Sequence, residues 1–326
     1  MSAKIKDVAA AAGVSVATVS RVLSNGPVSD ALRLRVLDVV KKLGYRPNLS
    51  ARRLRSQHSE TVGLIVSDIR NPFFTAVSRA VEDVAYRAGM RVILCNADED
   101  PEKEAMYLRL MQEERVSGVV FSPTITTAER FRPERFDFPI VMIDRSSGET
   151  DAVVLDNALA ASQLVDHLVA QGRTRIAGLF GNISATGFER RMGYEAAMAR
   201  HQLPVDSRLV PPSREAADQE IARWLALPER PDAIIASNGL LLLGTVQALS
   251  ASGVVIPGDI ALAGFDNEVW TALVAGGLTV IEQPIYDIGA MAMDMLLSRI
   301  ENPNLPKRKL VLNGRLVVRG STAAKA

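Results

Sequence analysis

The chain is poor in the residues from which covalent and metal chemistry are built. Its 326 residues include one cysteine and three histidines. Cys95 cannot close an intrachain disulfide, and its place at the end of Arg91-Val92-Ile93-Leu94-Cys95 marks it as a small buried hydrophobe in a strand. His58, His167 and His201 lack any metal-ligand spacing, so neither a metal nor another cofactor is expected. No stretch approaches about 18 uninterrupted apolar residues, and the first turns of chain hold no apolar run of the signal-peptide type. Membrane insertion and export are therefore not expected, and a cytoplasmic protein is. There is no Gly-x-Gly-x-x-Gly opening a helix after the first strand, no phosphate loop and no nucleophile elbow, so enzyme chemistry is not expected either. No leucine heptads follow Gly320, which argues against a tetramer built through a C-terminal coiled coil.

Charge is unevenly spread. The whole chain carries a formal net charge of +1, but residues 1–58 hold 11 lysines and arginines against 3 acids, and the rest of the chain 27 against 34. A basic head on an acidic body is the electrostatic footprint of nucleic-acid binding confined to one end. A disordered basic tail would lack the helical apolar spacing found here. With 48% apolar residues and this length, the remainder can bury a large core divided over more than one unit.

The head reads as a helix-turn-helix. Ile5, Val8, Ala9 and Ala12, then Val19, Val22 and Leu23, recur at helical spacing. Gly13 stands where a helix end needs a left-handed residue, and Ser15 can cap the helix that follows. That second helix is the one placed in the major groove. A third helix opens at Val28-Ser29-Asp30 with Ser29 as cap. Its buried face is Leu32, Val36, Leu37, Val40 and Leu43; Gly44 ends it and Tyr45 closes the small core. A short basic segment follows, Tyr45-Arg46-Pro47-Asn48-Leu49-Ser50-Ala51-Arg52-Arg53-Leu54, with one isolated leucine among arginines.

From Thr61 onward continuous apolar runs alternate with helical segments. Strands are expected at Val62–Val66, Val92–Cys95, Gly118–Phe121, Ile140–Ile143, Ala152–Leu155, Ile176–Phe180, Ala233–Ala236 and Ile260–Ala263. Such strands imply parallel sheets covered on both faces, and two successive runs imply two doubly wound α/β lobes. Ligands in these folds bind at the carboxyl ends of strands. Those ends are polar here: Asp68-Ile69-Arg70-Asn71-Pro72, Asp144-Arg145, Ser237-Asn238 and Asp266-Asn267. A cleft between lobes is the natural place for a small polar molecule.

Several markers occur in order along essentially the whole chain: Asp7-Val8-Ala9, Gly13-Val14-Ser15, Thr18-Val19-Ser20-Arg21-Val22-Leu23, Leu43-Gly44-Tyr45-Arg46-Pro47-Asn48, Asn71-Pro72-Phe73-Phe74, Arg190-Arg191-Met192-Gly193-Tyr194 and Gly264-Phe265-Asp266-Asn267. Together they resemble the lactose-repressor/galactose-repressor family of transcription regulators. The resemblance implies an all-α helix-turn-helix head over residues 1–46 and a hinge helix and linker over 47–59. Beyond them it implies a periplasmic-binding-protein-like core over 60–326. Its N-lobe would take residues 60–157 plus 286–312, and its C-lobe 158–285 plus 313–322. It also implies a homodimer on a pseudo-palindromic double-stranded operator, with a hinge helix from Pro47 to about Arg55 that orders in the minor groove. A proline at the first helical position suits such a segment, which is too short to be a stable helix alone.

In the hinge, Asn48, Ala51, Arg52 and Leu54 are assigned to DNA, Leu54 as a wedge between base pairs. In the recognition helix, Val16 and Ala17 occupy base-reading positions, where apolar side chains can meet a thymine methyl but form no hydrogen bonds. Ser15, Thr18, Ser20 and Arg21 carry the polar contacts, some of them phosphate anchors. Ser15 stays open between a DNA contact and a helix cap.

For the effector, the resemblance makes Arg190 the grip on a hydroxyl or carboxylate, for which a guanidinium fork is suited. It makes Asp266 the acceptor for neighbouring hydroxyls, Asn238 and Gln283 further pocket residues, and Phe73 an apolar wall. Asn71, Asp144 and Arg145 join from strand-end loops, and Arg191 can instead form a surface ion pair. Gly239 departs from the pattern, since many relatives carry an aspartate there. The expected function is that of a DNA-binding regulator, a repressor, controlled by a sugar or sugar acid between the lobes. The extra arginine and the missing acid lean towards the acidic derivative. The alternatives are a nucleoside, a purine or a protein as co-effector, and a cytoplasmic solute-binding protein of the same two-lobed fold.

Overall fold

Three short helices make up the head: α1 (Ile5–Ala12), α2 (Val16–Leu23) and α3 (Asp30–Lys42). Their core is Val8, Ala9, Ala12, Val19, Val22 and Val36, with Tyr45 packed at its edge. Gly13, at φ 63°, ends α1, and the Val14 N–H donates back to Ala9 O at 3.0 Å. Ser29 is the N-cap of α3, but its side chain makes no capping hydrogen bond. The face of α3 is narrower than the sequence suggests. Val36, Val39 and Val40 pack inward, whereas Leu37 and Leu43 are 43% and 41% exposed. Leu37 lies about 100° around the helix from Val36, outside that stripe, and Leu43 is the C-cap beyond the last full turn.

The computed structural model describes residues 3–23, 26–45 and 59–324. The chain divides into two units, Met1–Ser59 and Glu60–Ala326.

The second unit contains two six-stranded sheets. The first runs β11 (Lys309–Leu312), β5 (Asp151–Leu155), β4 (Ile140–Ile143), β3 (Val119–Phe121), β1 (Thr61–Val66), β2 (Arg91–Asn96), all parallel. The second runs β12 (Arg315–Val317), β10 (Thr279–Glu282), β9 (Ala261–Phe265), β8 (Ala233–Ala236), β6 (Ile176–Gly181), β7 (Asp206–Val210). It is parallel except at β12, which lies antiparallel on β10. The chain passes between the sheets three times, after Leu155, after Glu282 and between Leu312 and Arg315.

Each sheet is covered on both faces, the reason its central strands read as unbroken apolar runs. In the first lobe, α4 (Pro72–Arg87) and α11 (Ile285–Glu301) cover one face and α5 (Pro101–Glu113) the other. In the second, α7 (Asn157–Ala170) and α8 (Ala185–Arg200) cover one face, and α9 (Arg214–Leu225) and α10 (Gly239–Ala251) the other. The α7–α8 contact explains one sequence marker. A Cβ on Gly193 would collide with the Ala158 carbonyl, so glycine lets the helices touch, and the neighbouring Tyr194 hydroxyl donates to Ile176 O at 2.6 Å. The strands absent from the sequence reading are β7, β10, β11 and β12. Three of these are edge strands, and their half-exposed patterns lack the continuous apolar signature.

Candidate functional site

In the head, α2 presents Ser15, Ala17 and Arg21 to solvent, with Thr18 and Ser20 half-buried and Val16 partly packed against the core. The Ser15 side chain accepts the Thr18 N–H at 3.1 Å and pairs with the Thr18 hydroxyl at 2.8 Å. Ser15 is thus a helix cap, the bond that starts α2 at a defined residue. Asn48, Ala51, Arg52 and Leu54 lie outside the described residues.

In the core, Asn71, Phe73, Asp144, Arg145, Arg190, Asn238, Asp266 and Gln283 all line one cleft. They converge because the carboxyl ends of β1, β4, β8, β9 and β10, from both sheets, face it. Several are fixed by local backbone needs before any ligand is considered. Asn71 caps α4, its Oδ1 accepting Phe73 N–H at 3.0 Å, and Asn238 caps α10 by accepting Leu241 N–H at 2.9 Å. Each keeps its amide NH2 as a donor.

Asp144 and Asp266 occupy corresponding places in the two lobes, one residue beyond β4 and β9. Both adopt a left-handed backbone, at φ 63° and 75°. Such strain in a non-glycine residue persists only where surrounding structure enforces it. Asp266 accepts Gly239 N–H at 2.9 Å and the Gln283 amide at 2.6 Å.

Arg190 is buried between these acids. Its Nε donates to Asn157 Oδ1 at 2.8 Å, one terminal nitrogen donates to Ser237 O, and its guanidinium carbon lies 4.0 Å from the Phe265 ring centroid. Burial lowers its affinity for its proton, and the negative charges of Asp266 and Asp144 oppose that shift. Burial likewise pushes the Asp144 carboxyl up, against the pull of Arg145 and Arg190. Arg191 points elsewhere, donating to Glu195 at 2.6 Å and Ser207 at 3.1 Å.

Arg145 is occupied differently from the sequence expectation. Its terminal nitrogens fork onto Glu99 at 2.8 and 2.5 Å and donate to Pro123 O at 2.7 Å, while Nε stands 3.2 Å from Asp144 Oδ2. Glu99 is the important residue that sequence reasoning missed; it lies in an Asp98-Glu99-Asp100 turn just past β2, where both Asp98 and Glu99 have positive φ. The strand-end rule could have found it. Beneath the loop after β3, the fully buried Glu104 accepts the Thr124 N–H at 2.6 Å and its hydroxyl at 2.9 Å, holding the Pro123 carbonyl against Arg145. The cleft lining therefore carries the carboxylates of Asp68, Glu99, Asp144 and Asp266 against two guanidiniums.

Among the described residues no group of histidine, cysteine or acidic side chains could hold a metal ion. No described helix is long and apolar enough to cross a membrane.

Comparison with known proteins matches these two units separately. Residues 4–48 match the bacterial regulatory proteins of the lacI family, and residues 165–322 match the periplasmic binding protein-like domain. The ribose operon repressor of Halalkalibacterium halodurans is 36% identical over 98% of this chain and 96% of its own. Among solved structures, the lac repressor dimer bound to operator and an anti-inducer superposes with a TM-score of 0.90 at 25% identity, covering 99% of this chain and all of that one. A regulator from Enterococcus faecium with bound ribose superposes at 0.72 with 30% identity, covering 81% of this chain and 98% of that one. A reading helix on a basic head, a two-lobed core with polar strand ends, and full-length similarity to repressors agree: the chain belongs to the lacI family of bacterial regulatory proteins and is a DNA-binding transcriptional regulator.

Proposed function

We propose that this regulator's affinity for its operator is set by a neutral, hydroxylated sugar held in the cleft between the two lobes. The observation that carries the reading is the environment of Arg190. Its fork faces the cleft between Asp144 of one lobe and Asp266 of the other, an arrangement of donors and acceptors that suits a ring of hydroxyls. An acidic sugar is disfavoured by the same geometry. Arg145, the second guanidinium, is neutralised by Glu99, and an incoming carboxylate would meet four carboxylates in the lining. The ribose bound by the Enterococcus faecium regulator is a precedent for a neutral ligand in this fold.

The chain acts as a homodimer in this reading, as the lac repressor does on its operator. Residues 1–46 read the major groove through Ala17, Arg21 and their neighbours, and 47–59 form the hinge in which Leu54 is the wedge. The N-lobe takes 60–157 and 286–312, and the C-lobe 158–285 and 313–322. Effector changes the angle between lobes and hence the placement of the two heads; operator must then change effector affinity by the same factor.

A thermal-shift screen of the purified protein against neutral sugars, sugar acids, sugar phosphates, nucleosides and purines tests the reading, because a ligand bound only by the native state raises the melting temperature. A neutral sugar whose effect is abolished in Arg190→Ala supports it. A sugar acid or a purine as the sole hit overturns the pocket chemistry.

A further inference from the structure

The cleft encloses only about 60 Å³, but it is not the only space at the lobe junction. Phe73, Asp266 and Gln283 also line a crevice of about 1150 Å³ that continues outward past them. Its further walls include Trp270, Leu273, Ile285 and Tyr286, and at its junction with the cleft stands Glu268.

Glu268 is half-buried. Its Oε2 accepts from the Trp270 indole N–H at 2.8 Å, and Oε1 has no hydrogen-bond partner among the described residues. Oε1 occupies the volume that a Cβ on residue 239 would fill. The aspartate that many relatives carry at position 239 is thus replaced here by glycine, and a carboxylate reaches the same place from the neighbouring loop. Helix α10 has no acid in its own first turn, so Asp266 and Glu268 supply the negative charge at its amino end. Burial and the nearby Asp266 push the Glu268 carboxyl up, as expected for a group with an unused acceptor in a half-dry place.

We propose that Glu268 is a specificity-determining residue. It accepts a hydrogen bond from a hydroxyl-bearing second ring that leaves the cleft past Phe73, and it turns anionic substituents away. The crevice fits such a ring: Phe73 and Trp270 offer apolar faces for stacking, while Glu268 supplies the polar orientation. The effector class is then a neutral O-glycosylated sugar rather than a free monosaccharide or a sugar phosphate. This inference rests on the cleft reading above and extends it outward.

Calorimetric titration of the full-length protein tests it with neutral monosaccharides, their disaccharides and their phosphate esters. The wild type is compared with Glu268→Ala and with Gly239→Ala, which displaces the carboxylate without removing it. We expect a disaccharide that binds the wild type more tightly than its parent monosaccharide. That disaccharide should lose about tenfold in affinity in either variant, the loss of one charge-assisted hydrogen bond. The parent sugar, which does not reach Glu268, binds all three proteins alike, and the phosphate ester binds only once Glu268 is gone. Glu268→Ala keeps the test open if Gly239→Ala fails to fold. Equal disaccharide binding by wild type and Glu268→Ala overturns the proposal, as does wild-type binding of the phosphate ester. Monosaccharide binding with no extended ligand accepted overturns it alone, as when a second copy of the chain closes the crevice. Failure of every neutral sugar overturns the cleft reading as well.

Discussion

Arg190 commits part of its donor set before any ligand arrives. Asn157 holds Nε, the Ser237 carbonyl holds one terminal nitrogen, and Phe265 supports the face of the guanidinium. What remains is an edge aimed into the cleft at a fixed angle, and lysine cannot reproduce it. Arg190→Lys should therefore weaken effector binding by at least about tenfold while retaining the charge; an isotherm unchanged from wild type would remove Arg190 from the binding role. Ser15 is a residue of the opposite kind. Its hydroxyl starts α2, so Ser15→Ala should lower the stability of the head by about 1 kcal/mol, read by chemical denaturation of residues 1–58. A stability unchanged within a few tenths would show that the cap contributes nothing.

At the scale of elements, two devices set how the second lobe holds together. The first is the α7–α8 contact through Gly193. A methyl group there meets the Ala158 backbone carbonyl rather than a side chain that could swing away. Gly193→Ala should cost about 2 kcal/mol or more by separating the helices, visible as a lower denaturation midpoint at constant slope. The second is the C-terminal segment. Ser321 donates to Leu262 O at 2.6 Å, Thr322 pairs with Thr279 at 2.6 Å, and His167 Nε2 meets the Thr322 hydroxyl at 2.7 Å. Arg173, almost fully buried, donates to the Ala323 carbonyl at 3.2 Å. Burial lowers the His167 pKa below its ordinary value. A histidine whose pKa is lower in the folded state contributes stability above the unfolded value, about 6.5, and loses it as pH falls through that range. The wild type should accordingly lose melting temperature between about pH 7 and pH 5, and His167→Asn should lose less over the same interval. Parallel pH curves for the two proteins would contradict the assignment.

At the scale of the whole molecule, the basic head and acidic body divide the work between DNA and ligand. Operator affinity should fall by about a thousandfold or more between roughly 50 and 200 mM salt, because phosphate contacts release counterions. Binding measured by fluorescence anisotropy across that range checks it, and a flat response would take the basic head off the DNA. The cleft, at about 60 Å³, is far smaller than the few hundred Å³ of an ordinary small-molecule site. The lobes must separate for a sugar to enter, and the three chain crossings after Leu155, after Glu282 and between Leu312 and Arg315 are the segments about which they can turn.

Periodicity and charge placement by themselves determined the three helices of the head, the central strands of both sheets and the DNA-binding class. Those signals are local: a buried strand between covering helices must be apolar throughout, and a helix that packs on one side must repeat its apolar residues every third or fourth position. Family motifs added the eight effector candidates, which the fold gathers at one cleft although they are spread from Asn71 to Gln283. Edge strands such as β7 and β11 were not legible, since half-exposed strands carry no continuous apolar run. Nor could local pattern reveal what long-range packing alone decided. Arg145 is taken by Glu99, 46 positions earlier, and Gly239 yields its space to Glu268 from a separate loop. Which charges remain free for a ligand is a sum over groups distant in sequence, and the sum exists only once the strands lie side by side.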